Sequence, residues 1–316
     1  MPVAAATGSY TAAMADPAAE SIAPLSAARQ QLWLPRLSLA ACIRAVMVRD
    51  TRGVALTDLQ RFNHFPASPL CAISWWFSGS SEQVLAVGPG HEHLAGLQEL
   101  PRQPMPGRVV FSGPHTVPTT SWCPGEVHGM MLMLLPDAVH ALTGLAPEQF
   151  VNRLVAAETV LPPAWLAWCD AVQQAPDDEQ RVQRIEDFLD PLWQQVRPRQ
   201  ALAAHRYADW AQGLMLRAAA SGPGRSLRQV ERRIKRWAGL PMRELQGISR
   251  AERMFFQVLA AEQAGELRWA ELAVDGGYTD QSHLCRATRR VTGFAPEALR
   301  RGIERDERFW AYRLWA

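Results

Sequence analysis

A pair of similar basic segments near the C-terminus constrains the fold more than any other feature of the sequence. Residues 226–240 (SLRQVERRIKRWAGL) align with residues 280–294 (DQSHLCRATRRVTGF) at a fixed offset of 54 residues. Each segment begins with a helix-capping Ser or Asp, carries paired basic residues, and ends with glycine and a large apolar residue. The alignment predicts two equivalent basic helices in the C-terminal region.

The second segment is preceded by a pattern typical of a helix-turn-helix unit. Trp269, Leu272 and Ala273 form an apolar face at i, i+3 and i+4, and Gly277 follows where a tight turn favours glycine. In such a unit the helix after the turn is presented to the major groove of DNA. Between the two segments, residues 249–261 (SRAERMFFQVLAA) contain good helix formers and predict a stiff spacer.

The helix predicted to begin at Asp280 carries two kinds of DNA-contacting groups. Ser282, Cys285 and Arg286 lie along one stripe with Gln281 beside it, and Gln suits adenine as Arg suits guanine. Basic residues one turn further along are better placed for phosphates, which position a protein without reading sequence. The phosphate candidates are Arg289 and Arg290 here, and Arg225, Lys235 and Arg236 in the first segment. The base-facing candidates of the first segment are Arg228, Glu231 and Arg232.

The charge distribution agrees with a nucleic-acid partner for the C-terminal region. From residue 200 onward the chain has 20 Lys and Arg against 13 Asp and Glu, although the whole chain has a net charge of only +2. Such asymmetry between parts of a chain suggests a nucleic-acid-binding module joined to a different module. For a single Arg-rich helix, a solvated charged face is the alternative interpretation, and the repeat favours DNA.

The N-terminal half has a strand-like pattern. Short apolar runs at residues 42–48, 71–77, 84–87 and 108–111 are separated by Gly, Pro and Ser turns, which predicts an antiparallel sandwich or barrel. After Pro136 the pattern becomes helical. One helix is predicted over residues 178–196, with an apolar face that suits either a dimer surface or a plain interdomain helix.

Several function classes are excluded by composition. Residues 1–24 are rich in Ala, Ser and Pro and predict a disordered tail, since no basic residue precedes Arg29 to form a secretory signal. The longest apolar run, residues 130–135, is far shorter than a membrane helix. Five singly placed cysteines fit reduced thiols rather than a disulfide framework. We expect a soluble, cytoplasmic protein.

The stretch GYTDQSHLCRATRRVTGFAPEALR, residues 277–300, resembles the signature of AraC/XylS-type transcriptional regulators. Its pattern is Gly-aromatic, Gln-Ser, a hydrophobic residue, Arg, a basic pair, Gly and Pro, and the resemblance extends back to about residue 205. The resemblance implies an α+β protein in which a cupin-like β-barrel sensor domain precedes an all-α domain. That all-α domain has two helix-turn-helix units joined by a linker helix, which read successive major-groove segments.

The resemblance also implies roles for individual residues. It assigns base-facing positions to Gln281, Ser282, His283, Cys285 and Arg286 in the second unit and to Arg228, Glu231 and Arg232 in the first. The first unit departs from the family pattern, because residues 207–220 run into SGPGR without a second breakpoint before Ser226. Whether the first unit reads bases or mainly holds phosphates is therefore left open. The aromatic extension at residues 304–316 is expected to pack on the domain.

The predicted domains are a tail at residues 1–24, a sensor domain at 25–145, a helical connecting region at 146–199 and a DNA-binding domain at 200–316. The predicted function is sequence-specific regulation of transcription, without enzymatic activity and without a cofactor. The expected partner is double-stranded promoter or operator DNA, with RNA polymerase and a small-molecule effector as further candidates. No membrane partner is expected, and both a monomer and a homodimer stay open.

The alternative hypothesis is a cupin-type metalloenzyme with an accessory helical domain. It rests on four residues that resemble a His-x-His, Glu and His ligand set: His91, His93, Glu99 and His128. The spacing departs from that set, since the glutamate comes six residues after the second histidine. Ordinary loop histidines are the preferred interpretation, and no metal is expected.

Overall fold

The computed structural model describes residues 25, 27–85, 97–198, 206–221 and 226–316. The chain has an N-terminal region of antiparallel β-sheet followed by an all-helical C-terminal region. The strands are β1 (Arg29–Trp33), β2 (Ile43–Asp50), β3 (Phe62–Phe65), β4 (Cys71–Ser78), β5 (Glu82–Val84), β6 (Arg102–Pro104), β7 (Val109–Ser112), β8 (Thr119–Trp122), β9 (His128–Leu134) and β10 (Leu154–Ala156). The α+β class and the order of the two regions confirm the sequence prediction.

The strands form two sheets. One has six strands in the order β1-β2-β9-β4-β7-β10, and the other has four in the order β3-β8-β5-β6. Within the described residues the sheets remain separate, so the predicted barrel is wrong in this respect and an open pair of sheets takes its place. Irregularities between Ile43 and Ala45 and between Trp76 and Ser78 alter the twist of the central strands.

Burial on both faces explains the long apolar runs of the central strands. The first seven residues of β2 are buried, and β4 and β9 contribute Ile73, Trp75 and Leu132 to the same core. Three helices, α1 (Pro136–Thr143), α2 (Pro163–Gln173) and α3 (Asp178–Val196), pack in this core. A sheet that is covered on both faces needs continuous apolar strands rather than alternating ones.

Helix α3 has the predicted bounds, and its apolar face is occupied within the chain. Val182, Ile185, Leu189 and Trp193 are buried in the core shared with the six-stranded sheet. This packing matches the interpretation of α3 as a helix internal to the chain. Strand β10, which lies in the region predicted to be helical, pairs with β7 at the edge of the sheet. The predicted boundary at residue 145 stays a prediction.

The C-terminal helices follow the predicted repeat. They are α4 (Tyr207–Ala220), α5 (Leu227–Ala238), α6 (Met242–Gln263), α7 (Trp269–Asp275), α8 (Gln281–Thr292), α9 (Pro296–Arg305) and α10 (Trp310–Arg313). The predicted spacer is the central part of α6, which contacts α4, α5, α7 and α8. One long helix therefore connects the two basic helices α5 and α8.

The C-terminal segment, residues 304–316, packs against the β-sheet region as well as against its own helices. The indole Nε1 of Trp310 donates a 2.8 Å hydrogen bond to Asn63 Oδ1 on β3. Arg49 on β2 lies 2.8 Å from Glu307, and both side chains are buried. The extension thus packs on the protein as expected, but its partners include strands of the β-sheet region.

In the described part of the chain, we find no helix with the length and apolarity required to cross a membrane.

Four of the cysteines are buried and Cys285 is half-buried, and all five are free thiols.

His64 predicts a pH dependence of stability. Its ring lies 5.0 Å from Phe294 and 5.1 Å from Phe309, between β3 and the C-terminal region. Burial, assisted by the charge of Arg308, lowers the pKa of His64 from 6.5 to about 3. The unfolded chain binds a proton near pH 6.5, whereas the folded chain stays neutral until about pH 3. The stability contribution is therefore complete above pH 6.5 and falls as the pH drops through this window.

Urea unfolding of the wild type and of His64→Phe, each at pH 7.5 and pH 5, measures this effect. We expect the wild type to lose more stability between the two pH values than the variant does. Equal losses in the two proteins would mean that His64 does not contribute to the pH dependence.

Candidate DNA-binding surface

The second unit consists of α7, a glycine turn and α8, held on α6 by a small core. Met254 of α6 packs with Ala273, Tyr278 and Leu284 in this core. Gly277 has φ +74°, a conformation that favours glycine. The neighbouring Gly276 lies so close to Met254 that a Cβ there would overlap the methionine. The predicted glycine turn is present because it combines a positive φ with a close approach to α6.

Asp280 defines the start of α8. Its side chain accepts a 2.7 Å hydrogen bond from His283 N, the third helical residue. This hydrogen bond lowers the pKa of Asp280 below its usual range. Gly293 ends the helix in the left-handed conformation, with φ +87°. Both termini of the predicted helix are confirmed.

The predicted base-facing residues of α8 divide into two groups. Gln281, Ser282 and Arg286 are exposed. His283 is half-buried, and its Nδ1 lies 3.2 Å from the hydroxyl of Thr279, in the turn before the helix. Cys285 is also half-buried. The first group is available to a partner, whereas His283 stabilises the turn.

The two phosphate candidates of α8 lie near the C-terminal end of the helix. Both Arg289 and Arg290 are exposed. Arg290 Nη1 donates a 2.7 Å hydrogen bond to Glu244 Oε2 on α6. This ion pair links α8 to the helix that connects the units, a contact that a helical-face argument does not reveal.

The first unit presents its basic helix in the same way. Arg228, Arg232, Lys235 and Arg236 are exposed along α5. Glu231 Oε1 accepts a 3.0 Å hydrogen bond from Met242 N and so caps the start of α6. The prediction for Arg225 lies outside the described residues. All five described candidates in α5 are therefore exposed, and Glu231 has a structural partner as well.

The leading helix of the first unit is the last part of α4. The 54-residue offset places α7 over residues 215–221, so one continuous helix replaces the helix and breakpoint of the second unit. Arg233 Nη1 donates a 2.9 Å hydrogen bond to the carbonyl of Ala218 near the end of α4. Leu214 and Ile234 are buried in the adjoining core. The departure from the family pattern in the first unit is thus a fused leading helix.

One exposed residue of α5 was missed by the sequence assignments. Leu227 is the first residue of the helix, and the repeat aligns it with Gln281. Its side chain is exposed. The alignment places this apolar residue at the position of Gln281, a predicted base-facing residue of α8.

The β-sheet region contacts both units. Asp137 of α1 accepts a 2.8 Å hydrogen bond from Trp210 Nε1 and pairs with Arg217, both on α4. On the other unit, Ala67 N donates a 2.7 Å hydrogen bond to the carbonyl of Val291 at the end of α8. These contacts join each of the two units to the β-sheet region.

Helix α6 is held by a buried ion pair. Arg44 Nη2 of β2 lies 3.2 Å from Glu252 Oε1, and Tyr207 N donates a 2.7 Å hydrogen bond to Glu252 Oε2. Burial raises the pKa of Glu252, and the contacts with Tyr207 and Arg44 oppose this change. The guanidinium of Arg44 also lies 4.5 Å from the ring of Trp315. The pair therefore connects the sheet, both ends of the helical region and the helix between the units.

A cavity of about 740 Å³ lies between the sheets and the C-terminal helices. Its lining includes Met47, Trp75 and Met130 of the six-stranded sheet, Thr120 and Ser121 of the four-stranded sheet, and Phe255 and Leu259 of α6. The volume is in the range of small-molecule sites. The same helix that connects the two basic helices thus forms one wall of the cavity.

The metal candidates are not brought together in the described residues. Glu99 is exposed, and His91 and His93 lie outside the described part of the chain. His128 is buried, and its Nε2 lies 2.9 Å from Asp178, which also pairs with Arg181. Within the described residues no group of three or more metal-ligating side chains occurs. The surroundings of His128 are those of a buried ion-pair network.

No protein-family model and no curated protein matches the sequence. Among solved structures, ToxT from Vibrio cholerae is similar at 9% identity, over 85% of this chain and 96% of that chain, with a TM-score of 0.33. A structure of ToxT with a bound unsaturated fatty acid is similar at 13% identity, over 74% and 92% of the two chains, with a TM-score of 0.30. With identities and TM-scores this low, we base the functional proposal on the chain's own residues.

Proposed function

We propose that this chain is a sequence-specific DNA-binding transcriptional regulator of the AraC/XylS type. The observation that carries the proposal is the pair of equivalent basic helices, α5 and α8, each exposed along its basic side and both packed on α6. Two such helices on one rigid connector suit two successive major-groove segments of duplex DNA. A solvated charged surface does not require the same caps, length and register to occur twice.

The proposed roles follow the position of each residue in its helix. Residues near the N-terminus of a recognition helix contact base edges, so we assign base reading to Gln281, Ser282 and Arg286, and to Arg228 and Arg232. Phosphate contacts are assigned to Arg289, Lys235 and Arg236. Arg290 serves instead to hold α8 on α6 through Glu244, and Glu231 to cap α6.

Selection of bound fragments from a pool of random double-stranded DNA by the full-length protein tests the proposal. We expect enrichment of a site with two conserved segments about 10–10.5 base pairs apart, the spacing of one helical turn. Affinity should fall steeply as salt increases, because the phosphate contacts release counterions. A pool that stays random after repeated selection would contradict sequence-specific binding.

We further propose that the cavity binds a small-molecule effector. A ligand there would contact α6 directly and would lie beneath the C-terminal segment that bridges β3 and the helices. A ligand alters DNA binding only if it binds the competing arrangements of the two units with different affinity. The wall formed by α6 supplies a physical route to such a difference.

Filling the cavity should remove ligand binding without affecting the DNA surface. Ser74 of β4 lines the cavity, and Ser74→Phe would occupy part of its volume. With the amphiphilic dye 1-anilinonaphthalene-8-sulfonate as probe, we expect saturable fluorescence for the wild type and its loss in Ser74→Phe. Gln149→Phe, an exposed substitution outside the cavity lining, is the control and should bind dye like the wild type. Equal dye binding by Ser74→Phe and the wild type would place the dye elsewhere.

A further inference from the structure

Leu227 on α5 has a place in the repeat that none of the assigned roles uses. It is the first residue of the helix, and its side chain is 88% exposed. Single exposed apolar side chains are ordinary on protein surfaces, so exposure alone indicates nothing. The exposure of Leu227 becomes informative because of its position within the unit.

The two basic helices begin in the same way, so their first residues are equivalent. Ser226 Oγ accepts a hydrogen bond from Gln229 N at 3.4 Å, as Asp280 does from His283 N in the second unit. Both helices have 12 residues and end at a left-handed glycine. Leu227 therefore projects from α5 where Gln281 projects from α8. The first unit has an apolar side chain at a position where the second has a hydrogen-bonding one.

The other exposed residues of α5 indicate what kind of partner binds at Leu227. Arg228, Arg232, Lys235 and Arg236 are exposed on the same helix. Protein–protein interface cores are depleted in charged residues, so a helix that exposes one leucine and four basic side chains does not resemble such a core. The major groove of DNA offers the matching combination, because phosphates and guanine edges accept from basic side chains and thymine presents an apolar methyl group.

We propose that Leu227 contacts the C5-methyl group of a thymine in the segment bound by α5. The inference rests on the proposed DNA-binding function and makes the first unit a base reader. Burial of the methyl group against the leucine removes apolar surface of both molecules from water. Gln281 makes hydrogen bonds at the equivalent position, so the two segments of the binding site differ in sequence there.

Replacement of single thymines by deoxyuridine, which lacks only the methyl group, tests the contact. The probe is the DNA fragment that the full-length protein selects from a random pool. At one thymine of one segment, we expect deoxyuridine to weaken the wild type about fourfold, as for the exposure of one methyl group. Leu227→Ala should bind the unmodified fragment more weakly and should bind the thymine and deoxyuridine forms with equal affinity.

Leu37→Ala is the matched control. Leu37 is 89% exposed in a short helix of the sensor region, far from α5 in sequence, so its variant should respond to deoxyuridine like the wild type. The proposal is overturned if Leu227→Ala keeps the wild-type sensitivity, or if deoxyuridine has no effect at any thymine. It is also overturned if Leu227→Ala changes self-association in sedimentation and leaves DNA affinity unchanged. In all three cases the wild type still selects a sequence, whereas failure of selection itself contradicts the proposed function.

Discussion

Replacement of Glu252 by alanine is expected to lower the free energy of unfolding by about 3–5 kcal/mol, because it leaves a buried arginine without its counter-ion. Arg44 is only 8% exposed and pairs with Glu252 across the boundary between β2 and α6. The substitution also removes the acceptor for Tyr207 N at the start of α4. Urea unfolding of the two proteins at pH 7, followed by circular dichroism, measures the difference.

Two further variants show whether the loss of stability comes from the unpaired buried charge or simply from removing a carboxylate. The double variant Arg44→Met, Glu252→Met should recover most of the lost stability, since apolar pairs often replace buried ion pairs without loss. Glu271→Ala breaks an ion pair with Arg268 in which the side chains are 64% and 72% exposed, and it should change stability by less than about 1 kcal/mol. If Glu252→Ala and Glu271→Ala have similar effects, the buried pair does not hold the interface.

The same ion pair bears on function because of where α6 lies. This helix connects α5 to α8 and forms a wall of the cavity, and its Glu252 pairs with Arg44 of the six-stranded sheet. Disruption of the pair should therefore loosen the two units relative to the β-sheet region. The two units are held relative to each other by α6 itself. We therefore expect the protein to keep its DNA sequence preference when the Arg44–Glu252 pair is lost.

Local patterns predicted most of the secondary structure. The apolar face of α3 and the caps and glycines of α5 and α8 depend on residues that are near each other in sequence, and each of these helices has the predicted position. The strands β2, β4 and β7 also lie at their predicted runs. The order of the strands and the separation of the sheets depend on contacts between distant residues. No local pattern specifies such contacts.

The candidate site divides in a similar way. Exposure of Arg286 and Arg228 followed from their position on a capped helix. The pairing of Arg290 with Glu244, 46 residues away, could not be predicted in this way. The position of an arginine on a helix face does not show whether it is paired within the chain. Burial of Arg44 with Glu252, 208 residues away, was likewise not predictable from β2 alone.

Arg286→Ala is expected to weaken binding to the selected DNA by about 5- to 150-fold, the loss of roughly 1–3 kcal/mol from one bidentate base contact. Arg286 is exposed on α8, one turn after Ser282, whereas the capping contacts of Asp280 stabilise the helix without it. The fold should therefore be unaffected. Fluorescence anisotropy with the selected fragment and with a scrambled fragment of equal length measures the affinities.

The scrambled fragment distinguishes a contact with a base from a contact with the phosphate backbone. Arg286→Ala should lower affinity mainly for the selected fragment, and the loss should disappear when the base pair that Arg286 contacts is changed. Arg236→Ala, an exposed basic substitution on α5, should weaken both fragments alike and reduce the slope of log affinity against log salt by about 1. Equal losses on both fragments for Arg286→Ala would make this arginine a phosphate contact. Sequence preference would then come from the other assigned residues, which include Arg232 and the equivalent first residues Leu227 and Gln281.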